Sequence, residues 1–239
     1  MRADFARRGM AVDAESVIGI TGLAGLAGAR LYHLLESPAE FFAHPLPLLF
    51  STMGFAWFGA LIGGFVALVL LARNSHVRIL AMLDAASPAA AIGYGVGRIG
   101  CLISGDGDYG TPTNLPWGMS FPNGLVPTTD RVHPTPIYEF LAAVVIAWAL
   151  WRIGAQAIAA RKAGSRRERD SKAGAGNDGV VFAWYLILTG VARFLVEFIR
   201  INPRPFLGMS NAQTVAALCV LAGGALLLAV RRPTVARAA

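Results

Sequence analysis

The sequence predicts an all-α, polytopic membrane helical bundle with about six transmembrane helices and a turn-rich outer loop. Apolar residues make up 55% of the 239 residues and charged residues only 15%, with a mean hydropathy of +0.55. This composition is too apolar for a soluble domain of that length. The apolar residues also gather in segments of roughly 20, the length that crosses a bilayer core.

Six segments meet this length, and each is predicted to be one helix. They lie near 16–35, 47–71, 79–101, 135–152, 180–199 and 212–230. Small residues recur in the stretches GLAGLAG, GALIGG and LAGGALLLAV, which predicts tight packing because helices in lipid associate by close backbone approach. No soluble domain is left over, so we expect one integral membrane domain over 1–239.

Basic residues predict the topology, because positive charge favours the cytoplasmic side. If the N-terminus is cytoplasmic, the outer loops hold only Arg131, Arg200 and Arg204. The inner segments then hold Arg2, Arg7, Arg8, Arg73, Arg78, Arg152, the run from Arg161 to Lys172, Arg231, Arg232 and Arg237. Residues 161–178 are predicted to be a basic cytoplasmic linker, with contact to anionic lipid as the alternative.

The basic residues allow two further interpretations. A net charge of +7 suggests nucleic acid, but the basic residues are dispersed between apolar runs, so nucleic acid is excluded as a partner. The start RADFARR, ahead of an apolar stretch that ends in AGA, resembles a signal peptide. Its polar region is long and acidic for a signal, and the remaining topology is the same in either case.

Three arginines lie inside apolar segments, each close to the outer end: Arg30, Arg98 and Arg193. An arginine within a span costs roughly 2.5 to 3.5 kcal/mol on insertion scales, so three at one depth need a reason. One reason is that the side chain reaches the headgroups and pairs with a carboxylate, which applies above all to Arg30. The other is a site for an anionic ligand.

Further polar side chains are predicted in the same layer. In GVARFLVEFIR, Arg193, Glu197 and Arg200 stand at i, i+4 and i+7, which predicts one polar stripe on a helix. Glu197 neutralises one of these arginines but not both, so guanidinium is in excess. The segment HPTPIYEFL adds His133, Tyr138 and Glu139.

An outer cavity with excess guanidinium suits an anionic lipid headgroup, because the planar fork of arginine matches phosphate oxygens. The segment SGDGDYGTPTNLPWGMSFPNGLVPTTDRVHPTP follows Arg98 and is rich in Gly, Pro, Asn and Asp. It is predicted to be a turn-rich outer loop that borders the site. Its Trp117 and Phe121 are expected at the membrane interface.

Several segments follow one another in the order GARLYHLLE, GALIGG, LDAASPAAAIGYGVGRIG, HPTPIYE, RFLVEFIR and GMSNAQ. Over nearly the whole chain they resemble the prolipoprotein diacylglyceryl transferase family of bacterial inner-membrane enzymes, with Arg98 at the signature arginine. The resemblance implies transfer of diacylglyceryl from phosphatidylglycerol to the lipobox cysteine thiol of prolipoproteins. It also implies three partners, namely phosphatidylglycerol, prolipoprotein signal peptides and membrane lipids, and a multi-pass protein of the inner membrane whose site faces the outer leaflet.

The sequence departs from the family pattern at four places. Cys101 replaces the usual asparagine, and SGDGDYG, with Asp106 and Asp108, replaces the usual NGExxG with one residue more. Phe58 stands where some members carry histidine. Members usually have seven spans, and MRADFARRGMAVDAES resembles the cytoplasmic turn after the first, which indicates either a start assigned late or loss of that helix.

The resemblance implies a reaction in which a thiolate attacks the glycerol carbon that bears the phosphate ester, and glycerol 1-phosphate leaves. The residues predicted to be catalytic are Arg98, His133, Glu139, Arg193 and Glu197. The residues predicted to bind substrate are Arg98, Tyr138, Arg193 and Arg30. No metal and no cofactor are expected, because the histidines show no ligand spacing.

Within this reaction Arg98 and Arg193 bind the phosphate, and Glu139 and Glu197 orient the guanidinium groups or relay protons. His133 either accepts the thiol proton, since imidazole can do so near neutral pH, or caps a helix. Tyr138 either donates a hydrogen bond to the headgroup or packs in the core.

Alternatives remain for the cysteines, the two aspartates and the function. Cys101 is either a nucleophile or a small buried thiol, and Cys219, mid-span among apolar residues, is not expected to bridge to it. Asp106 and Asp108 either bind a cation or shape a turn. The rival functions are a non-catalytic lipid-binding or lipoprotein-binding paralogue, which the changes at Cys101 and Phe58 favour, and a small transporter, which lacks support from any internal repeat.

Overall fold

A computed structural model describes residues 1–10, 12–36, 38–43, 45–50, 56–167, 178–205 and 208–231. Within these ranges the chain is helical apart from short connections and one small sheet, which confirms the all-α class. The α-helices are α1 (Arg2–Arg8), α2 (Ala14–Glu36), α3 (Pro38–Ala43), α4 (Pro45–Phe50), α5 (Trp57–Asn74), α6 (Ile79–Ser104), α7 (Thr135–Arg167), α8 (Val180–Val196) and α9 (Asn211–Arg231). A 3₁₀ helix spans Glu197–Ile199, and the strands are β1 (Met119–Phe121) and β2 (Thr128–Val132).

Five of the described helices are long and apolar enough to cross a membrane: Ala14–Glu36, Ile79–Ser104, Thr135–Ala159, Val180–Ile199 and Asn211–Arg231. A sixth apolar helix, Phe58–Asn74, is shorter. The span predicted near 47–71 is wrong at its N-terminal end, because Pro45 begins the separate helix α4. Proline suits the first turn of a helix, where its missing N–H has no partner to lose.

The chain divides into two compact units, Met1–Met82 and Leu83–Ala239. In the first unit α2 packs along α5 through glycines. A Cβ added at Gly28 would lie 3.0 Å from the Cα of Gly63 and closer still to the carbonyl oxygen of Gly59. These short distances confirm the close helix packing that was predicted from GLAGLAG and GALIGG.

The first unit also contains the basic N-terminal segment. Helix α1 buries Phe5. The Asp13 carboxylate accepts a hydrogen bond from the Ser16 backbone N–H at 2.8 Å and caps the start of α2. This bond holds the pKa of the exposed Asp13 carboxyl below its usual range.

The second unit has a core where α6, α7 and α8 meet. Its buried members are Ala91, Ile146, Ala147, Leu150 and Val181. At the far end of α6, the buried Asp84 carboxylate accepts backbone N–H bonds from Gly179 at 2.9 Å and from Phe182 at 2.8 Å. A carboxylate at a helix N-terminus satisfies donors that the helix itself cannot, so this contact fixes the start of α8 against α6.

Glycines also set the packing distances of the second unit. A Cβ at Gly95 would lie 2.9 Å from the Ala143 side chain, so α6 and α7 approach closely one turn before Arg98. Between α8 and α9, a Cβ at Gly190 would lie 2.8 Å from the Ala216 carbonyl oxygen. Ser210 and Gln213 form a capping box that begins α9.

The connection between α6 and α7 is turn-rich, as predicted, and contains an antiparallel hairpin of β1 and β2. Phe121 and Gly124 close the turn, with the Gly124 N–H 3.2 Å from the Phe121 carbonyl oxygen. Pro-Asn-Gly at 122–124 is strong turn chemistry, so the sequence carried a signal for this hairpin. Tyr109 stacks on Phe121 with ring centroids 5.3 Å apart.

Helix α7 extends beyond its predicted end near residue 152 and continues to Arg167. Its last turns therefore include the first part of the segment predicted to be a linker. Residues 168–177 lie outside the described residues. The division into one membrane domain with a cytoplasmic linker stays a prediction.

Gly28→Ala is expected to destabilise the protein by about 1 to 3 kcal/mol, because the added methyl group meets backbone atoms that cannot rotate away. Gly22→Ala on the same helix is the matched control, since a Cβ there meets nothing within 4 Å. Thermal unfolding in detergent, followed by circular dichroism, measures both variants. Equal midpoints would contradict the close packing of α2 on α5.

Candidate active site

The candidate site lies where the C-terminal end of α6, the first turns of α7 and the C-terminal end of α8 meet. These ends carry Arg98, Glu139 and Arg193 respectively. Gly95 permits the approach of α6 to α7 that brings the first two together. Arg98 and Arg193 thus share one level in the structure, as the sequence predicted from their positions.

Glu139 is the centre of the site. Its buried carboxylate lies 3.1 Å from Arg98 Nε, 3.6 Å from Arg193 Nη1 and 3.4 Å from Arg200 Nη1. Tyr94 donates its hydroxyl proton to Glu139 Oε1 at 2.5 Å. A buried carboxylate needs both counter-charge and hydrogen bonds to offset its desolvation, and Glu139 has both.

Glu197 is a second buried carboxylate on the other side of two of these arginines. Its Oε2 lies 2.8 Å from Arg193 Nη1 and 3.8 Å from Arg200 Nε. Asn202 donates from Nδ2 to Oε1 at 2.6 Å. Both predicted roles of Glu197, orienting guanidinium and moving protons, are compatible with these contacts.

Asp108 is the third carboxylate, and it comes from the loop. One oxygen pairs with Arg98 Nη2 and the other with Arg200 Nη2. The loop backbone holds the residue in place: Thr135 donates to the Asp108 carbonyl at 2.5 Å, and the Asp108 N–H lies 3.1 Å from Asp106 Oδ1. Asp106 thus shapes a turn, which was one of the two predicted alternatives.

Arg200 contacts the same carboxylates by a route that the helical pattern did not predict. We name the three arginines and the three carboxylates the arginine cluster, or simply the cluster: Arg98, Arg193, Arg200, Asp108, Glu139 and Glu197. Helix α8 ends at Val196, the 3₁₀ helix follows, and Arg200 has extended backbone dihedrals of −85° and 155°. The prediction that Arg200 continues the helical stripe of Arg193 and Glu197 is therefore wrong, because Arg200 is not part of a helix. The buried Arg200 side chain turns back to the same carboxylates from a connecting segment.

A backbone bridge between Gly110 and Arg200 fixes this segment. The Thr111 N–H donates to the Ile199 carbonyl at 2.8 Å. A Cβ at Gly110 would lie 2.5 Å from that same oxygen and 3.0 Å from the His133 side chain, so only glycine fits. The loop after α6 and the segment after α8 are thereby held together beside Glu139.

The cluster balances its charge. Arg98, Arg193 and Arg200 face Asp108, Glu139 and Glu197, which corrects the predicted excess of guanidinium. The cause is Asp108, which the sequence could not place between two arginines. The guanidinium groups still reach the surface of the cluster, with 15% of the Arg98 side chain and 28% of the Arg193 side chain exposed.

His133 and Tyr138 lie in a second group with Trp117. Tyr138 Oη lies 3.3 Å from His133 Nδ1 and accepts a hydrogen bond from Trp117 Nε1 at 2.7 Å. The His133 backbone carbonyl accepts from Gly110 at 2.9 Å, which ties this group to the bridge beside Arg200. We name these three residues the histidine group.

Arg30 belongs to the first compact unit, where it is buried in α2. Its predicted part in substrate binding stays a prediction. Phe58 begins the apolar part of α5 and is exposed. Cys101 and Cys219 are free thiols, as expected.

The ligand atoms of Cys101, Asp106 and Asp108 lie within 4.8 Å of one another, a spacing that suits a metal ion. Two guanidinium groups already contact Asp108, and their positive charge disfavours a cation at the same carboxylate. The expectation of no metal stays a prediction.

Sequence reasoning did not assign three residues of the site: Tyr94, Asp108 and Asn202. Tyr94 had a usable signal, since it precedes Arg98 by four residues and therefore shares its helix face. The guanidinium carbon of Arg98 indeed lies 5.8 Å from the Tyr94 ring centroid. Asn202 follows the end of α8 and Asp108 lies in the loop after α6, and helical spacing gives no guide at either position.

The comparisons with known proteins agree with the sequence pattern. The family model described as prolipoprotein diacylglyceryl transferase matches residues 1–229. Three similar curated proteins are each named phosphatidylglycerol--prolipoprotein diacylglyceryl transferase. The one from Clostridium tetani is 32% identical over 87% of this chain and 76% of its own length. The one from Geobacter sulfurreducens is 35% identical, with 87% and 74% covered, and the one from Bordetella bronchiseptica is 33% identical, with 92% and 79% covered.

Similarity of this extent covers every described element of the candidate site, from Tyr94 to Asn202. The chain belongs to the prolipoprotein diacylglyceryl transferase family.

Proposed function

We propose that this chain is a transferase that moves the diacylglyceryl group of phosphatidylglycerol to the cysteine thiol of a prolipoprotein. The family and the names of the relatives support this reaction. The observation that carries the assignment of the site is the gathering of three arginines on Glu139 among apolar helices. The comparisons offer no support for a non-catalytic paralogue or a transporter.

The reaction breaks one bond and forms one. The cysteine sulfur, as thiolate, attacks the glycerol carbon that bears the phosphate ester, and a thioether bond forms. The carbon–oxygen bond to phosphate breaks, and glycerol 1-phosphate leaves with the electron pair. Negative charge therefore moves from sulfur to phosphate during the reaction.

Arg98 and Arg193 bind this phosphate, with Arg200 beside them. Their guanidinium groups are held by buried carboxylates before substrate arrives, so little reorganisation is needed as charge develops. Burial of Glu139 and Glu197 strengthens such interactions, because charges attract more strongly where the dielectric constant is low. Glu139 and Glu197 orient the guanidinium groups, and each of these carboxylates contacts more than one arginine.

His133 accepts the proton of the incoming thiol. In the tautomer that places the proton on Nδ1, facing Tyr138 Oη, the Nε2 atom is free to act as acceptor. Trp117 donates to the same tyrosine oxygen and thereby holds Tyr138 against the imidazole. Tyr138 orients His133 in this proposal and contacts the headgroup from the same position.

The protein is a multi-pass membrane protein, and we place it in the bacterial inner membrane with the site at the outer leaflet. The asymmetry of basic residues supports this orientation, since the inner segments hold most of them. An outer-leaflet site meets both partners there: phosphatidylglycerol and other membrane lipids in the bilayer, and the signal peptide of a prolipoprotein after its export.

Arg98→Lys is expected to lower kcat/KM for phosphatidylglycerol by about tenfold or more, and Arg98→Gln by about a hundredfold. Lysine keeps the charge but loses the planar fork, and glutamine loses both. The measurement is transfer of labelled diacylglyceryl to a lipobox peptide by purified protein.

Arg152→Lys and Arg152→Gln are the matched controls, because Arg152 is an exposed arginine of α7 that lies over Trp148, outside the cluster. Both should transfer like the wild type. Transfer by Arg98→Gln at the wild-type rate would remove Arg98 from the mechanism. Absence of transfer by folded wild-type protein would return the function to the non-catalytic alternative.

His133→Gln is expected to lower kcat by about a hundredfold or more, since general bases contribute at least that factor. Transfer assays and thermal unfolding of the purified protein measure kcat and stability in parallel. A variant with reduced thermal stability but an unchanged kcat would assign His133 to helix capping instead.

A further inference from the structure

The balanced charge of the cluster poses a problem for a substrate phosphate. Arg98, Arg193 and Arg200 already face three carboxylates, and a phosphodiester adds another negative charge. Charges in a poorly hydrated site interact strongly, so an added anion is favoured only if a resident carboxylate withdraws. The question is which carboxylate can do so.

Glu139 and Glu197 are poorly suited to withdraw. Their side chains are 4% and 1% exposed, and both arise from helices or helical turns that are packed into the second unit. Each also has a neutral hydrogen-bond donor, Tyr94 for Glu139 and Asn202 for Glu197. Removing either from its partners would leave a buried charge without compensation.

Asp108 is different on each count. Its side chain is 30% exposed, and it lies on the loop rather than in a helix. Gly105 and Gly107 precede it with positive φ angles of 57° and 91°, a backbone form that glycine adopts without strain. The Asp108 carboxylate is therefore freer to turn away from its partners than the two buried glutamates are.

The geometry of Asp108 also matches that of a phosphate. Its two oxygens contact two guanidinium groups, one each from Arg98 and Arg200. The two non-bridging oxygens of a phosphodiester can span two guanidinium groups in the same way. Asp108 thus occupies the guanidinium N–H donors that a phosphate anion would bind.

We propose that the Asp108 carboxylate occupies the position of the ligand phosphate and exchanges with that phosphate on binding. The inference rests on the proposed function, in that the arginines are taken to bind phosphate. Exchange makes binding weaker than the arginines alone would give, because the binding-competent state is only a fraction of the total. It also helps the product to leave, since the carboxylate returns as glycerol 1-phosphate dissociates.

The test is the affinity of Asp108→Asn for two phosphate compounds. Asparagine keeps the size of the side chain but removes the charge that competes. Dioctanoyl phosphatidylglycerol in maltoside micelles and free glycerol 1-phosphate are titrated separately into the purified protein. We expect Kd for both to fall about fivefold or more, and product inhibition of transfer to become stronger.

Asp130→Asn is the matched control, since Asp130 is an exposed carboxylate of strand β2. The Asp130→Asn variant also loses one negative charge from the connection between α6 and α7, and it should bind both compounds like the wild type. Asp108→Glu restores the charge and should lose most of the gain. If Asp108→Asn binds only the lipid more tightly, the exchange is limited to the lipid headgroup. If it binds both the lipid and glycerol 1-phosphate more tightly, the exchange involves the phosphate group itself.

Unchanged or weaker binding by Asp108→Asn would overturn the proposal and would make Asp108 a residue that only orients the arginines. Hydrogen exchange of residues 105–110 in the wild-type protein gives a second measurement that needs no variant. Exchange should become faster when dioctanoyl phosphatidylglycerol is added, and slower or equal exchange would contradict displacement. The Arg98→Lys variant distinguishes failure of the exchange from failure of the proposed function. If this variant binds the lipid like the wild type, the proposed phosphate site itself is wrong.

Discussion

The contact on which the rest of the site depends is the buried carboxylate of Glu139 with three guanidinium groups. Arg98, Arg193 and Arg200 come from three different segments, so one side chain at the start of α7 ties together the ends of α6 and α8 and the chain that follows α8. The contact is also costly to break. A guanidinium or carboxylate left without its partner among apolar helices would have neither water nor counter-charge.

Two glycines make that contact geometrically possible. Gly95 lets α6 approach α7 one turn before Arg98, and Gly110 lets the loop pass against the Ile199 carbonyl oxygen. Both positions lack room for a Cβ atom, so the requirement is steric at each. The polar cluster is thus positioned by small residues in the same way that α2 and α5 are packed in the first unit.

The chemistry of the family follows from this arrangement. Transfer of diacylglyceryl to a thiol needs a base on one side and stabilisation of a departing phosphate on the other. The described structure has two separate groups of side chains that suit these tasks, the histidine group and the arginine cluster, linked through the hydrogen bond between Gly110 and the His133 carbonyl. The neutral total charge of the cluster favours its stability without substrate, and in our proposal the binding of an anion is an exchange rather than a simple addition.

The sequence by itself determined the all-α membrane class and most of the spans, and it predicted that Arg98, Arg193, Glu139 and Glu197 lie in one polar layer. These follow from hydropathy and helical spacing, which are local properties. The fifth helix began later than predicted, and the last turns of α7 extended further, because periodicity does not fix where a helix ends. Helical spacing also placed Arg200 in the layer of Arg193 and Glu197. Only the tertiary structure showed that Arg200 reaches this layer from a connecting segment and that Asp108 lies between Arg98 and Arg200. Arg200 and Asp108 both lie outside regular helices, so their positions depend on how a glycine-rich loop and a chain segment pair across the fold, which no spacing along the sequence encodes.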